Sequence, residues 1–311
     1  MAPDLLSNSL RLLRQHQFLI WLGLGMSLSS LFGTGRRVWL GQVIALDFTQ
    51  LTNLQSVESL LFSSELAQIQ QLFLRGLLLA FGQFVLVWLV ALLAEAGLIT
   101  AVSHHATESI SLRRAVGWGR QWLGRFLAID LLVFFPWFLI ALAMMMVVLI
   151  LSLVLAGFAT REVSAGTVFA TTGLGLACVI GLAGLLLPVG MVSLWYRLLA
   201  FREAVLHNVS PRTAVRQTWQ RIRQNFGDIF VLIVVLWGGQ TLLLGVLNLV
   251  TSPLLTWLTP LTNSDTMALQ AVAWLALIAL TLLVWLVRGI ITTVVAIAWT
   301  LAYQNLSKRK N

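Results

Sequence analysis

The sequence predicts an all-α protein, a polytopic transmembrane helical bundle of six spans, and three observations carry that reading. Apolar runs lie near 18–33, 77–102, 131–157, 171–199, 229–250 and 270–303, short polar links separate them, and the arginines and lysines sit almost wholly in those links. A helix needs about 20 apolar residues to cross a hydrocarbon core of about 30 Å, and every run but the first supplies them. Composition agrees, with 59% hydrophobic residues and 10% charged, where soluble domains carry about a quarter charged. The chain reads as a single integral membrane domain over 1–311.

Taken in order, the first run follows Arg11 and Arg14 and precedes Arg36 and Arg37. Its brevity would suit the core of a secretory signal, but no small-x-small cleavage site precedes Arg36, so it is read as a retained helix. Arg113, Arg114, Arg120 and Arg125 lie between the second and third runs. Arg197, Arg202, Arg212, Arg216, Arg221 and Arg223 lie at the end of the fourth and in the link to the fifth, and Lys308, Arg309 and Lys310 follow the sixth. With Arg11 and Arg14 these place 15 of the 20 basic residues on one side, against Arg36, Arg37 and Arg161 on the other. Basic loops stay cytoplasmic, so both termini are expected inside. The net charge of +9 then faces the anionic headgroups of one leaflet. Nucleic acid is not expected as a partner, because its cationic footprint gathers on a folded domain with aromatic or groove-reading motifs.

The basic links share a pattern. Ile110-Ser111-Leu112-Arg113-Arg114-Ala115-Val116 aligns with Val209-Ser210-Pro211-Arg212-Thr213-Ala214-Val215, and both stretches run on to a phenylalanine, Phe126 or Phe226, before a span. A fainter copy begins at Ser9-Leu10-Arg11 and reaches Phe18, and Arg-Gln recurs at 14–15, 120–121 and 223–224. The expectation is a parallel internal repeat of helical hairpins, approximately 9–109, 110–208 and 209–311, each opening with a cytoplasmic amphipathic interfacial helix. Ser210 suits an N-cap and Pro211 the first helical position. At helical spacing Val215, Trp219, Ile222 and Phe226 make an apolar stripe edged by Arg212, Arg216 and Arg223. In the earlier link Ala115, Trp118, Trp122 and Phe126 make the stripe, with Arg113 and Arg120 well away from it. Rings sunk among headgroups and arginines reaching phosphate make Arg113, Arg120, Arg212, Arg216, Arg223, Trp118, Trp122 and Trp219 the candidate lipid-binding residues. The plainer reading is topological anchoring.

Two charges fall inside apolar runs. Glu95 and Arg288 are costly in hydrocarbon and define a candidate intramembrane polar site, whether paired with each other or with Glu95 turned to Arg197. Asp130 and Asp228 follow the two phenylalanines as anions near expected helix starts. His16, His104, His105 and His207 show no metal-ligand spacing, and the lone Cys178 excludes an intrachain disulfide. No catalytic residue, metal or cofactor is expected. Gly173, Gly175, Gly181, Gly184 and Gly190 with Pro188 read as close packing and a kink in the fourth span. Leu54, Val57, Leu60 and Leu61, with Glu58 off their face, read as a short amphipathic helix on the outer surface.

Through Arg202-Glu203-Ala204-Val205-Leu206, Ser210, Ala214, Trp219 and Asn225-Phe226 the chain resembles bacterial polytopic proteins grouped with the glycerophosphoryl diester phosphodiesterase membrane domain, with somewhat different spacing. The resemblance implies six spans in a bacterial inner (plasma) membrane. A catalytic barrel follows the membrane part in some members; no H-R-G or E-N-T signature occurs here, so it implies the membrane module alone. The functional expectation is a non-enzymatic multi-pass protein whose basic collar binds anionic lipid or a membrane protein partner. The alternative is a lipid or small-solute permease.

Overall fold

Apolar runs grow into long helices, and the computed structural model describes residues 2–28, 64–104, 110–159, 184, 188–262 and 266–308. Every regular element among them is helical: α1 (Ala2–Gln15), α2 (Leu19–Met26), α3 (Ser64–His104), α4 (Leu112–Ala159), α5 (188–207), α6 (Pro211–Gln224), α7 (Phe226–Leu261) and α8 (Met267–Lys308). Three stretches among the described residues are long and apolar enough to cross a membrane, Phe81–His104, Phe226–Leu261 and Met267–Leu306. They match the second, fifth and sixth apolar runs. The third run lies within α4, and α5 holds the end of the fourth. Only Leu19–Met26 of the first run forms a described helix. Arg36, Arg37, Leu54, Val57, Glu58, Leu60, Leu61, His105, Arg161, Gly173, Gly175, Cys178 and Gly181 lie outside the described residues.

Helices α3, α4 and α8 contain 41, 48 and 42 residues. At 1.5 Å per residue each is about 60 to 70 Å long, roughly twice a hydrocarbon core. The contacts gather into two compact units, one formed by Met1–Leu123 with Phe230–Asn311 and the other by Gly124–Ile229.

In the first unit a buried apolar cluster lies at one end of the long helices. Helices α1 and α2 lie against α8, and α2 also against α3, so that Leu12, Leu13, Leu19 and Leu22 meet Leu98, Ala101, Val102, Ala115 and Ile297. The other halves of α3 and α8 keep Leu79, Phe84, Leu275 and Leu283 exposed. Two glycine crossings set the spacing at the packed end. A Cβ on Gly23 would strike Thr293 and come within 2.5 Å of the Gly289 carbonyl. One on Gly97 would lie 2.7 Å from the Ala115 carbonyl, and one on Gly119 would strike the Leu93 carbonyl. Among apolar helices in lipid, such backbone approach adds dispersion contacts that the hydrophobic effect does not supply. In α2 the Leu24 carbonyl accepts from the Trp285 indole at 3.2 Å and from the Ser27 hydroxyl at 3.2 Å. Near a helix end such donors satisfy carbonyls that the helix itself does not.

The second unit repeats this polarity within itself. Phe126, Ile129, Asp130, Val133 and Leu199 to Val205 are buried, whereas Phe135, Leu139, Val189 and Val192 are exposed. Helix α5 closes in a Schellman turn, with Asn208 at φ 49° and the Val209 N–H donating to the Ala204 carbonyl at 3.2 Å. Asn tolerates that left-handed conformation better than most residues. Arg125 holds its side chain from α4, donating to Asn208 Oδ1 at 2.8 Å.

Helix starts and breaks differ in part from the sequence pattern. Ser210 acts as expected, and Ser111, its match in the earlier link, does the same, each accepting at 3.4 Å from the backbone N–H three residues on. At Phe126 the expected break is absent: Arg-Phe-Leu-Ala offers no turn residue, and α4 continues through Asp130. At Phe226 a break does occur, because Asn225 leaves helical geometry at φ −127°, ψ 38°. Asp228 then sits in a first turn, as expected, and Asp130 does not. Ser9 starts no helix either. It lies inside α1, fully buried, with its hydroxyl donating to the Leu5 carbonyl at 2.6 Å.

Candidate functional site

Helix α6 has two unlike faces. Its inner face carries the buried Ala214 and Thr218. Opposite them Arg212, Arg216, Trp219 and Arg223 are all exposed, within about a sixth of a turn of one another at 3.6 residues per turn. The Trp219 ring meets Tyr196 edge-on at 6.3 Å, and the Tyr196 hydroxyl donates to the Val215 carbonyl. An exposed indole is thus restrained on one edge among three guanidinium groups.

An ionic cluster fastens α6 from behind. Arg202 and Glu203 are 0% and 1% exposed. Arg221 Nε donates to Glu203 Oε2 at 3.1 Å, while another Arg221 nitrogen lies 3.1 Å from His207 Nε2. A guanidinium can only donate, so Nε2 accepts and the imidazole proton sits on Nδ1, which faces Glu203 Oε2 at 3.5 Å. Deeper in the unit, Arg197 Nε donates to the buried Asp130 at 2.5 Å. The same guanidinium lies 4.5 Å over the Phe201 ring, which stacks on Phe126 at 3.9 Å. Carboxylate and aromatic face together offset the desolvation of that cation. One signal in the sequence pointed toward the cluster, since Glu203 and His207 stand one helical turn apart.

The first unit presents its candidates differently. Arg113 and Arg120 are exposed, but Trp118 and Trp122 are half-buried and Ala115 is fully buried. Trp118 stacks on His104 at 5.3 Å. This aromatic stripe therefore faces protein, and only its arginines reach outward.

Glu95 is buried at the packed end of α3. Arg288 donates to Asn248 Oδ1 on α7 at 2.5 Å, a partner that the sequence reading had not singled out. Arg197, considered for Glu95, is engaged by Asp130. Replacing Asn248 by leucine removes an acceptor from a cation among apolar helices, and is expected to cost about 1 to 2 kcal/mol. Thermal unfolding in nanodiscs tests this, with the Arg288→Gln and double variants completing a cycle; strictly additive losses would show that the two side chains do not interact.

Among the described residues no group of three or more His, Cys, Asp or Glu side chains could hold a metal ion. No family model, curated protein or solved structure matches this chain. Function is therefore read from its own residues.

Proposed function

We propose that the chain is a six-span, non-enzymatic protein of a bacterial plasma membrane, with both termini cytoplasmic, that holds anionic lipid through its basic interfacial helices. The observation that carries this reading is the α6 face: Arg212, Arg216 and Arg223 exposed around Trp219, with no ion pair or hydrogen bond to any of the three among the described residues. Cations beside an interfacial aromatic ring suit the phosphate and carbonyl levels of a leaflet. The hairpin repeat belongs to the proposal and draws support from matched positions. Ser111 and Ser210 cap helices, and Ala115 and Gly119 are buried as Ala214 and Thr218 are, all at an offset of 99 residues. The resemblance to the diesterase membrane domain enters only as a membrane module.

Replacing Arg212, Arg216 and Arg223 together by glutamine is expected to reduce retention of phosphatidylglycerol at least fivefold in native mass spectrometry. Folding should be kept, since the three side chains are exposed. Equal retention by variant and parent would remove the lipid-binding reading. A second reading, a lipid or small-solute permease, draws on the Arg288 to Asn248 contact between two long apolar helices and on the π-helical turn Ile233–Gly238 in α7. Such turns often mark functional positions.

A further inference from the structure

We infer that the Arg212, Arg216, Trp219 and Arg223 face of α6 selects a lipid headgroup bearing two phosphodiesters over one bearing a single phosphodiester. The inference rests on the lipid-binding reading of that face and adds the class of headgroup.

Charge is the first argument. Helix α6 contains four arginines and no Asp or Glu. Arg221 is neutralised from behind by Glu203, at 3.1 Å. Three cations therefore remain on the outer face, and one phosphodiester would leave two of them uncompensated. A headgroup with two such groups engages at least one more cation while displacing no partner already present among the described residues.

Spacing is the second argument. Arg212 and Arg216 are one turn apart, about 6 Å along the axis, and Arg223 stands about 10 Å beyond Arg216. Trp219 lies between Arg216 and Arg223 on the same face. The guanidiniums thus form two anion seats, one from the Arg212 and Arg216 pair and one from Arg223, with the indole between them. Tyr196 restrains that indole from the side at 6.3 Å. Long flexible arginine stems can draw the two seats toward the separation of linked phosphates, while the ring lies against the glycerol and first acyl carbons.

The contrast with α4 supports selectivity. Its start also exposes three arginines, Arg113, Arg114 and Arg120, but Trp118 is turned onto His104 and no exposed aromatic residue stands among them. That face attracts anions without framing a headgroup.

The test uses the full chain in detergent micelles, offered equimolar cardiolipin and phosphatidylglycerol and read by native mass spectrometry. The parent is expected to retain cardiolipin about five- to tenfold over phosphatidylglycerol, the gain for one further engaged cation. Arg223→Gln should bring that ratio close to one, because cardiolipin retention falls further than phosphatidylglycerol retention. Trp219→Ala should reduce the ratio less, and the Arg113→Gln, Arg120→Gln pair should leave it unchanged. A parent that retains both lipids equally, with retention still dependent on the three α6 arginines, overturns the headgroup selection and leaves the lipid-binding reading standing. Retention that ignores those arginines overturns both, and an acidic protein becomes the occupant to seek.

Discussion

Replacing Arg221 by methionine is expected to destabilise the second unit by about 3 to 5 kcal/mol, and to do so more than Glu203→Gln does. Breaking a buried ion pair is costly mainly for the charge left behind. The two partners are unequal in that respect: the Glu203 side chain is 1% exposed and the Arg221 side chain 28%. Without Arg221 the carboxylate stays buried and loses the guanidinium at 3.1 Å. Without the Glu203 charge, the guanidinium can turn toward water, so a loss of about 1 to 3 kcal/mol is expected. The double variant Glu203→Met, Arg221→Met should recover much of the loss, because removing both charges together leaves neither stranded. Thermal unfolding in nanodiscs reads all three. A Glu203 variant that is the more damaging of the two would show that the carboxylate, and not the cation, is the better solvated partner.

The second large effect lies at the glycine crossing of the first unit. Gly119→Ala places a methyl group against the Leu93 backbone carbonyl, and Gly97→Ala brings one within 2.7 Å of the Ala115 carbonyl. Backbone cannot swing aside as a flexible side chain can, so the helices must separate, at about 1 to 3 kcal/mol for each change. Gly117 is the control. It lies two residues from Gly119 on the same helix, and a Cβ there meets nothing within 4 Å. Gly117→Ala should be neutral or stabilising by up to about 1 kcal/mol, since alanine is the better helix former. If Gly117 and Gly119 respond alike to alanine in thermal denaturation, close approach is not what glycine supplies at 119.

Hydropathy made the long helices legible, and the cap of α6 could be read directly from Ser210 with Pro211. The facing of the aromatic stripes was not legible. Periodicity marks an apolar face, but lipid and a neighbouring helix are both apolar partners, so the stripe with Trp118 and the stripe with Trp219 look alike in sequence. One meets His104 and the other is 52% exposed. The charged residues divide in the same way. Arg212, Arg216 and Arg223 can be placed from helical spacing alone, whereas the pairing of Glu203 with Arg221, or of Asp130 with Arg197, depends on which helices meet. Asn248 was missed because an uncharged side chain in an apolar run draws notice only once Arg288 is seen to reach it.

The contacts of α1 and α2 with α8 carry a consequence for biosynthesis. Leu22 and Ile297 belong to the same cluster, yet roughly 270 residues separate them, and at about 5 to 20 residues per second a ribosome takes on the order of 15 to 55 seconds to cover that distance. Throughout that interval the apolar sides of the first two helices lack the part of their covering surface that α8 supplies. Premature termination before 290 would leave the area meant for α8 open permanently. The N-terminal segment should therefore be the region most dependent on an insertion factor or holdase, and the place where a quality-control protease first meets a truncated chain.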